Sequence, residues 1–254
     1  MNIEIFGKDE RVASAAEYLS GELASAAGNL KLLPIPSSKD GEHVTGTELS
    51  FNELFSSLNS ESLVVGYGLP DGFCRSLDAC GVRYYDAAED EEFLMKNAAI
   101  TAVAALGYVL NSSKKAPSDM SFGIIGYGRI GKELLRLLLF LGAEVKVFTG
   151  KAEKKAELGR LGIKTGTLDA ANFAAEAEEG MDVIFNTAPT NLSAFFENKR
   201  IPEGVRVLEL ASGDSFPGVF GVEYLPTLPA RVFPKSAGLV YAALALRFFK
   251  RNAV

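Results

Sequence analysis

The sequence predicts an α/β fold with parallel strands, and residues 121–149 carry the clearest evidence. Ser121–Ile125 is a short apolar run that is typical of a buried strand, and Glu144–Phe148 is a second one. Between them, residues 132–141 are rich in leucine, and Gly142 ends this helical stretch. A strand, a glycine turn, a helix and a second strand in this order are typical of a parallel β-α-β unit.

The glycine turn of this unit has the spacing Gly-x-Gly-x-x-Gly, at Gly126, Gly128 and Gly131. Between a strand and a helix, this spacing predicts a dinucleotide-binding site. Gly126 allows the tight turn, Gly128 lets the backbone approach a pyrophosphate, and Gly131 lets the helix pack against the strand. The N–H groups and the positive dipole end at the helix start then bind the phosphates. The predicted phosphate loop comprises Gly126, Tyr127, Gly128, Arg129, Ile130 and Gly131.

The end of the second strand indicates which dinucleotide is bound. An NAD site usually has a carboxylate about 20 residues after the glycines, where it binds the ribose 2′-hydroxyl. Here the strand ends in Thr149, Gly150 and Lys151, and Lys154 and Lys155 follow. A hydroxyl, a glycine and cations suit a 2′-phosphate, so we expect NADP, with NAD as the other possibility. The alternative is that these lysines form an ordinary solvated helix face.

The remaining elements follow from the same patterns. Further strands are predicted at residues 3–6, 30–35, 62–66, 82–85, 163–165, 182–186, 206–210 and 223–225. Further helices are predicted at residues 11–26, 51–58, 71–80, 91–110, 153–161 and 168–178, and from about residue 238 to 251. The first strand is followed by one glycine rather than three, so it does not predict a second cofactor site.

Ligands of open α/β sheets lie beyond the carboxyl ends of the strands. Two such ends are expected to face the cofactor, at Asn186, Thr187, Ala188 and Pro189 and at Ala211 and Ser212. A third end, at Ser37, Ser38 and Lys39, is a candidate substrate loop, since two hydroxyls and a cation can hold a carboxylate. A polar surface loop explains these three residues equally well.

Composition limits the class of protein. With 254 residues, the chain forms one large domain or two ordinary ones, and its 48% hydrophobic share supports a sizeable core. A net charge of −6 argues against nucleic acid as the main partner. Cys74 and Cys80 form neither a disulfide framework nor a metal site. No signal peptide is evident, and the longest apolar runs look too short to cross a bilayer, so we expect a cytoplasmic protein.

Over nearly its whole length, the chain resembles the family of dipicolinate synthase A subunits. The most specific marks are the Ser38-Lys39-Asp40-Gly41 loop and the Pro234-Lys235-Ser236-Ala237-Gly238 segment. Further marks are Leu33-Pro34-Ile35-Pro36, Arg83-Tyr84-Tyr85-Asp86, Asn97-Ala98, Thr101-Ala102, the glycine turn with Arg129-Ile130, Asn186-Thr187 with Pro189, and Leu210-Ala211-Ser212.

This resemblance implies two doubly wound parallel-sheet domains, as in D-2-hydroxyacid dehydrogenases. Residues 1–96 would form a flavodoxin-like substrate domain, and residues 97–118 a linking helix and linker. Residues 119–235 would form a Rossmann domain that binds NADP or NAD. Residues 236–254 would form a C-terminal helix that crosses back to the first domain.

The resemblance also implies an activity, which is the NADP-linked oxidation of a dihydrodipicolinate-type compound to dipicolinate during sporulation. The expected partners are this dicarboxylate and the flavoprotein-like B subunit of dipicolinate synthase, without nucleic acid or membrane. Separately, the apolar C-terminal helix and the 17 phenylalanines permit a homodimer but do not require one. The expected catalytic residues are Lys235, Ser236 and Lys39, with Lys235 as a base if burial lowers its pKa. The expected substrate-binding residues are Ser37, Ser38, Lys39, Thr101 and Ser212.

The sequence departs from the family pattern in two places. Ile100-Thr101-Ala102-Val103-Ala104 stands where Pro-Thr-Ala-Glu-Gly is expected, and Gly213-Asp214-Ser215-Phe216 where an arginine and a glycine-rich turn are expected. These departures motivate a second hypothesis, a non-catalytic dinucleotide-binding paralogue. A third hypothesis is a D-2-hydroxyacid dehydrogenase. Those enzymes use a catalytic histidine, whereas His43 is the only histidine of this chain and lies in the first domain.

Overall fold

The structure is a computed structural model that describes residues 1–168, 180–196 and 200–252. It divides into two compact units. Met1–Ile100 and Pro229–Val254 form the first unit, and Thr101–Leu228 forms the second. The chain thus leaves the first unit, builds the second and returns to the first. The helix predicted at residues 168–178 lies outside the described residues apart from its first position.

The first unit has a four-stranded parallel sheet. Its strands are β1 (Asn2–Ile5), β2 (Asn29–Leu32), β3 (Ser62–Gly66) and β4 (Arg83–Asp86). Its helices begin with α1 (Glu10–Glu22), α2 (Phe51–Ser56) and α3 (Asp71–Ala79), and α4 (Glu91–Ser112) starts in this unit. The returning segment adds α7 (Leu228–Val232) and α8 (Pro234–Asn252).

Helices cover both faces of this sheet. Along β3, Leu63 and Val65 pack with α1 and α8, whereas Val64 packs with α2 and α3 on the other face. The two-sided cover confirms the predicted α/β architecture. The strand order is β1-β2-β3-β4, so β2 rather than β1 pairs with β3. The flavodoxin-like expectation for this unit is therefore wrong in strand order, because that fold places β1 between β2 and β3.

The second unit has a six-stranded parallel sheet. Its strands are β5 (Ser121–Ile125), β6 (Glu144–Phe148), β7 (Lys164–Gly166), β8 (Val183–Asn186), β9 (Arg206–Glu209) and β10 (Val222–Tyr224). Its described helices include α5 (Arg129–Phe140) and α6 (Ala152–Arg160). The strand order is β7-β6-β5-β8-β9-β10. This order reverses direction between β5 and β8, as in the dinucleotide-binding doubly wound sheet, so the predicted Rossmann unit is confirmed.

The core of the second unit explains why these segments are strands. Alternate residues of β5, such as Phe122 and Ile124, pack against α5 and the second half of α4, while Ile125 packs on the opposite face. Both faces of β5 are buried, so this strand is a continuous apolar run without polar alternation. The sequence therefore located these strands to within one or two residues.

The long helix α4 is longer than its apolar run suggested. It spans 22 residues, and it is the one described helix whose length and composition would allow it to cross a membrane. The expectation that the apolar runs are too short to cross a bilayer is therefore wrong for this helix. Residues Ala102, Ala105 and Val109 of α4 are buried in the core of the second unit, which is the position of an ordinary core helix.

Candidate dinucleotide-binding site

The glycine turn after β5 has the geometry that its spacing predicts. Gly126 has a φ of +92°, and a Cβ there would lie 2.8 Å from the Thr187 hydroxyl oxygen. A Cβ at Gly131 would lie 2.4 Å from the Gly126 carbonyl oxygen. Both positions therefore require glycine, the first for its left-handed backbone and the second for the close packing of α5 on the turn.

Gly128 differs from its two neighbours in a way that indicates a ligand. Its φ of −89° and ψ of −160° are open to any residue, and a Cβ there would have no atom within 4 Å. Neither the backbone nor the packing of the described residues explains this glycine. Gly128 is also the N-cap of α5, and no side chain caps the helix there. Open space at the positive end of a twelve-residue helix fits the close approach of a pyrophosphate.

The end of β6 lies on one side of this turn, since β6 pairs with β5. Thr149 is buried, and its hydroxyl accepts a hydrogen bond from the Lys151 backbone N–H at 3.3 Å. Gly150 and Lys151 are exposed. The strand thus ends in a small turn with a cation beside it and no carboxylate at its tip, as the sequence predicted.

Two lysines and a carboxylate surround the ring of Tyr127, next to the glycine turn. The ammonium groups of Lys132 and Lys154 lie 5.1 and 5.8 Å from the ring centroid. Glu157 accepts from both lysines, at 3.4 Å from Lys132 and 2.9 Å from Lys154. The hydrogen bonds from the two lysines lower the pKa of Glu157, and the bond to Glu157 raises that of Lys154. This cluster keeps two cations beside the glycine turn.

The ends of β8 and β9 lie on the other side of the turn and form a buried hydrogen-bonded pair. Asn186 and Glu209 are partners in the strand register, and both are buried. The Asn186 side-chain N–H donates to both Glu209 carboxylate oxygens at 3.0 Å. Asn186 also binds the backbone N–H and carbonyl of Ala188, each at 3.1 Å. Burial raises the pKa of Glu209, while hydrogen bonds from its neighbours, Asn186 first, oppose this shift.

These strand-end loops contact each other and the glycine turn. The Thr187 hydroxyl donates to the Ile125 carbonyl at 2.9 Å, and so it links the loop after β8 to the turn after β5. The Ala211 backbone N–H donates to Glu209 at 2.8 Å, and the Ser215 hydroxyl donates to the Ala188 carbonyl at 3.3 Å. The structure thus brings the predicted cofactor residues together at the carboxyl edge of one sheet. Pro189 and Ser212 are exposed at this edge.

The segment that replaces the expected arginine and glycine-rich turn has its own contacts. The Tyr224 hydroxyl donates to Asp214 at 2.8 Å. Burial and this carboxylate raise the pKa of Tyr224 to about 12. Ser215 and Phe216 are buried. Residues 213–216, which depart from the family pattern, therefore form a packed turn in which Asp214 binds the Tyr224 hydroxyl.

The candidate substrate loop of the first unit is built differently from the expectation. Ser37 is fully buried, and its hydroxyl donates to the Pro34 carbonyl at 3.1 Å and accepts from the Tyr67 N–H at 2.8 Å. These two bonds use the hydroxyl to shape the loop. The neighbouring Ile35 carbonyl accepts from the buried Arg11, which is paired with Asp9 at 2.7 Å. Ser37 is therefore best described as a loop-forming residue.

The other residues of this loop are more open. The Ser38 hydroxyl donates to the His43 carbonyl at 2.9 Å and accepts from the Gly41 N–H at 2.9 Å. Asp40 accepts from the His43 ring at 3.0 Å, and this hydrogen bond raises the pKa of His43. Lys39 is exposed. Of the predicted substrate residues in this loop, Lys39 is the one whose polar group is presented to solvent.

The remaining predicted residues, Lys235, Ser236 and Thr101, lie on the helices α8 and α4. Lys235 and Ser236 are exposed in the first turn of α8, in the first unit. The burial that would turn Lys235 into a base, as considered from the sequence, is therefore not found. Thr101 is buried in α4, at the start of the second unit.

Sequence reasoning missed Glu209 as a site residue. It is one of two charged residues in the strand predicted at residues 206–210, and a charged residue near the end of a strand is usually solvated. Its partner Asn186 stands 23 positions earlier. The available signal was the parallel arrangement of the two strand ends, because paired strands place their last side chains next to each other.

Comparison with known proteins places the fold. The sequence matches no protein-family model and no curated protein. Among solved structures, the A subunit of dipicolinate synthase from Bacillus halodurans matches with a TM-score of 0.77 and 19% identity, over 97% of this chain and 96% of that chain. The corresponding dipicolinate synthase chain from Bacillus subtilis matches with a TM-score of 0.76 and 16% identity, over 99% and 96%.

A transhydrogenase from Sinorhizobium meliloti is less similar, with a TM-score of 0.59 and 17% identity over 98% of this chain and 94% of that chain. At these identities, the comparisons show a shared fold. The resemblance expected from the sequence is thus confirmed at the level of the fold, over nearly the whole length of the chain.

Proposed function

We propose that the protein is an NAD(P)-dependent oxidoreductase that binds its dinucleotide at the carboxyl edge of the six-stranded sheet. Gly128 carries this proposal, because no neighbour and no backbone strain in the described residues requires a glycine there. The missing Cβ leaves space at the start of α5, where a pyrophosphate fits. The residues that would hold the phosphates are Gly126, Tyr127, Gly128, Arg129, Ile130 and Gly131.

The strand order assigns the two halves of the dinucleotide. The adenosine ribose of such sites lies over the strand that follows the glycine helix, which is β6 here. The nicotinamide half then extends across the switch point, over the ends of β8 and β9. Asn186, Thr187, Ala188, Pro189 and Ala211 belong to this side.

We further propose that NADP is preferred over NAD. The tip of β6 consists of the buried Thr149 and the exposed Gly150 and Lys151, without a carboxylate to bind a 2′-hydroxyl. Lys154 adds a second cation beside Tyr127. Two cations and a hydroxyl match the charge and the oxygen acceptors of a 2′-phosphate.

The proposed substrate is a cyclic dicarboxylate of the dihydrodipicolinate type, as the resemblance implies. NADP, when bound, accepts the hydride that leaves the dihydropyridine ring, and a ring proton is released as the ring becomes aromatic. The part of this chain is to bind and orient the dicarboxylate. Lys39, Lys235 and Ser236 are the proposed carboxylate contacts, because they present charge or hydroxyls to solvent. Ser38, Thr101 and Ser212 are the further candidates.

The partners and the location remain proposals. We propose that a flavoprotein-like B subunit acts with this chain, that the chain forms a homodimer, and that both proteins work in the cytoplasm of a sporulating cell. Co-purification of the two proteins and the mass of the purified chain in solution test these two assemblies.

The experiment that tests the function is an absorbance assay for dipicolinate. The protein is given NADP or NAD and a freshly generated dihydrodipicolinate-type compound, with and without the flavoprotein-like partner. Product with NADP supports the oxidoreductase, and Lys39→Ala and Lys235→Ala should then reduce turnover while NADP binding persists. Turnover that both variants retain would remove these lysines from the proposed mechanism.

A second candidate function is a non-catalytic protein that binds the dinucleotide. The contact between Asp214 and Tyr224 favours it, because a carboxylate and a phenol occupy the segment where the resemblance implies an arginine. This candidate predicts saturable NADP binding without product under any condition of the assay. A D-2-hydroxyacid dehydrogenase is less favoured, since the single histidine, His43, pairs with Asp40 in the first unit.

A further inference from the structure

Glu209 is a buried carboxylate, and its hydrogen-bond partners in the described part of the chain carry no positive charge. It is 3% exposed, at the last position of β9. Among the described residues, its hydrogen bonds come from the Asn186 amide, the Ala211 backbone N–H and the Ser215 backbone N–H. Taking a carboxylate out of water is costly, and neutral partners compensate for it only in part. An apolar residue would complete the strand at a lower cost, so the position of Glu209 calls for another explanation.

The contacts of Glu209 join two loops that are separate in the sequence. Through Asn186 it fixes both backbone groups of Ala188 in the loop after β8. Through Ala211 it fixes the first turn of the loop after β9. Ser215 closes the ring, because its hydroxyl also reaches the Ala188 carbonyl. One carboxylate thus sets the relative position of both loops.

These two loops lie on one side only of the glycine turn. β8 pairs with β5, and β9 pairs with β8, whereas the Thr149 end of β6 lies on the opposite side. A dinucleotide that spans the switch point therefore meets the Glu209 loops with its nicotinamide half and the β6 end with its adenosine half. A change at Glu209 should act on one half of the ligand.

We infer that Glu209 is a positioning residue, which holds the loops after β8 and β9 in the arrangement that receives the nicotinamide half of the dinucleotide. This inference rests on the proposed function. The carboxylate suits the role because both its oxygens accept from the same Asn186 amide, while one also accepts from the Ala211 N–H. A glutamine at this position has one acceptor oxygen, and its NH2 group would face the NH2 group of Asn186.

The test compares a whole ligand with its adenosine half. Titration calorimetry measures NADPH and adenosine 2′,5′-bisphosphate on the full chain and on Glu209→Gln, with NADH and ADP as the pair if the chain prefers NAD. We expect NADPH affinity to fall about tenfold in Glu209→Gln, the scale of one lost buried hydrogen bond. Affinity for adenosine 2′,5′-bisphosphate should stay within about twofold. A loss confined to the larger ligand is the signature of positioning, since general destabilisation would weaken both.

Glu223→Gln is the matched control, because Glu223 lies on the neighbouring strand β10 and pairs with Arg206 at 2.7 Å. It should leave both affinities unchanged. If Glu209→Gln does not fold, Ser215→Ala replaces it, with a loss of NADPH affinity of about threefold and none for the fragment. Equal effects on both ligands, or no effect on either, would overturn the inference. Failure of the unmodified chain to bind any of these nucleotides would instead overturn the proposed function.

Discussion

Asn186 and Glu209 end two neighbouring parallel strands side by side, and the Asn186 amide lies 3.0 Å from each carboxylate oxygen of Glu209. Both side chains are buried at the carboxyl edge of the six-stranded sheet. Since Asn186 also binds Ala188, this pair connects strand pairing to the shape of the loop that we assign to the dinucleotide.

The unfolding free energy of the protein should depend on pH through the titration of Glu209. Burial raises the pKa of Glu209 in the folded state above its ordinary value of 4.5. The folded protein therefore holds this proton more tightly than the unfolded chain does. The contribution of Glu209 to stability is then complete below pH 4.5 and decreases as the pH rises through the folded-state pKa.

Urea unfolding of the unmodified chain and of Glu209→Gln measures this effect, because glutamine does not titrate. The unfolding free energy of the unmodified chain minus that of the variant should decrease as the pH rises above 4.5, and then level off. A difference that stays constant or grows with pH would contradict the assignment. All other titrating groups are common to both proteins, so the difference isolates Glu209.

The lysine cluster around Tyr127 should decide the choice of cofactor. Lys154→Ala removes a cation beside the proposed 2′-phosphate position, so NADP affinity should fall about tenfold while NAD affinity stays within about twofold. Glu157→Gln should raise NADP affinity, because Glu157 competes for Lys132 and Lys154. Lys164→Ala is the control, since the ammonium of Lys164 pairs with Glu144 at the start of β6, the end of that strand away from the glycine turn. Calorimetry with both cofactors measures the ratio, and equal losses for NADP and NAD in Lys154→Ala would argue against a 2′-phosphate site here.

Ser37 and Lys39 of the first unit should affect different properties when they are replaced, Ser37 the stability of the protein and Lys39 the binding of substrate. Ser37→Ala removes two buried hydrogen bonds of the loop, so it should lower the unfolding free energy by about 1–3 kcal/mol. Lys39→Ala changes an exposed side chain and should leave stability within about 0.5 kcal/mol. In turnover assays, Lys39→Ala should raise the KM for the dicarboxylate. A stable Ser37→Ala protein with a raised KM would restore Ser37 as a substrate contact.

The buried pair of Arg11 and Asp9 should matter far more for folding than an exposed pair. Arg11→Leu leaves the Asp9 carboxylate and the Ile35 carbonyl without their partner, which should cost roughly 3–5 kcal/mol. Lys96→Leu breaks an exposed pair with Glu92 and should cost less than about 1 kcal/mol. Urea unfolding of both variants checks this, and similar losses would show that the first-unit loop does not depend on Arg11.

The sequence predicted the elements well because their signals are local. The runs that became β5 and β8 are buried on both faces, so their composition alone identifies them. In β6, Val145 and Val147 alternate with Glu144 and Lys146, which is the pattern of a half-buried strand. The strand order of the first sheet was not predictable in the same way. Whether β3 pairs with β1 or β2 depends on how the chain crosses the sheet, and no short motif encodes this.

The candidate site was also predictable only where its signal is local. The spacing of Gly126, Gly128 and Gly131 gave the phosphate loop directly, since each glycine acts through its own backbone or missing Cβ. The roles of Ser37 and Glu209 were not predictable, because each depends on a partner more than 20 positions away. A hydroxyl in a polar loop and a carboxylate at a strand end both look solvated until the partner strand is known.

The Gly128→Val variant tests directly whether the glycine turn after β5 binds a dinucleotide. A Cβ at this position meets no described atom within 4 Å, and its backbone angles suit any residue, so the variant should fold with only the small loss of stability that a β-branched N-cap residue brings. We expect calorimetry to show saturable NADPH binding by the unmodified chain and binding weakened by about tenfold or more in the variant. Equal NADPH binding by two folded proteins, or no binding by either, would contradict a dinucleotide site at the glycine turn.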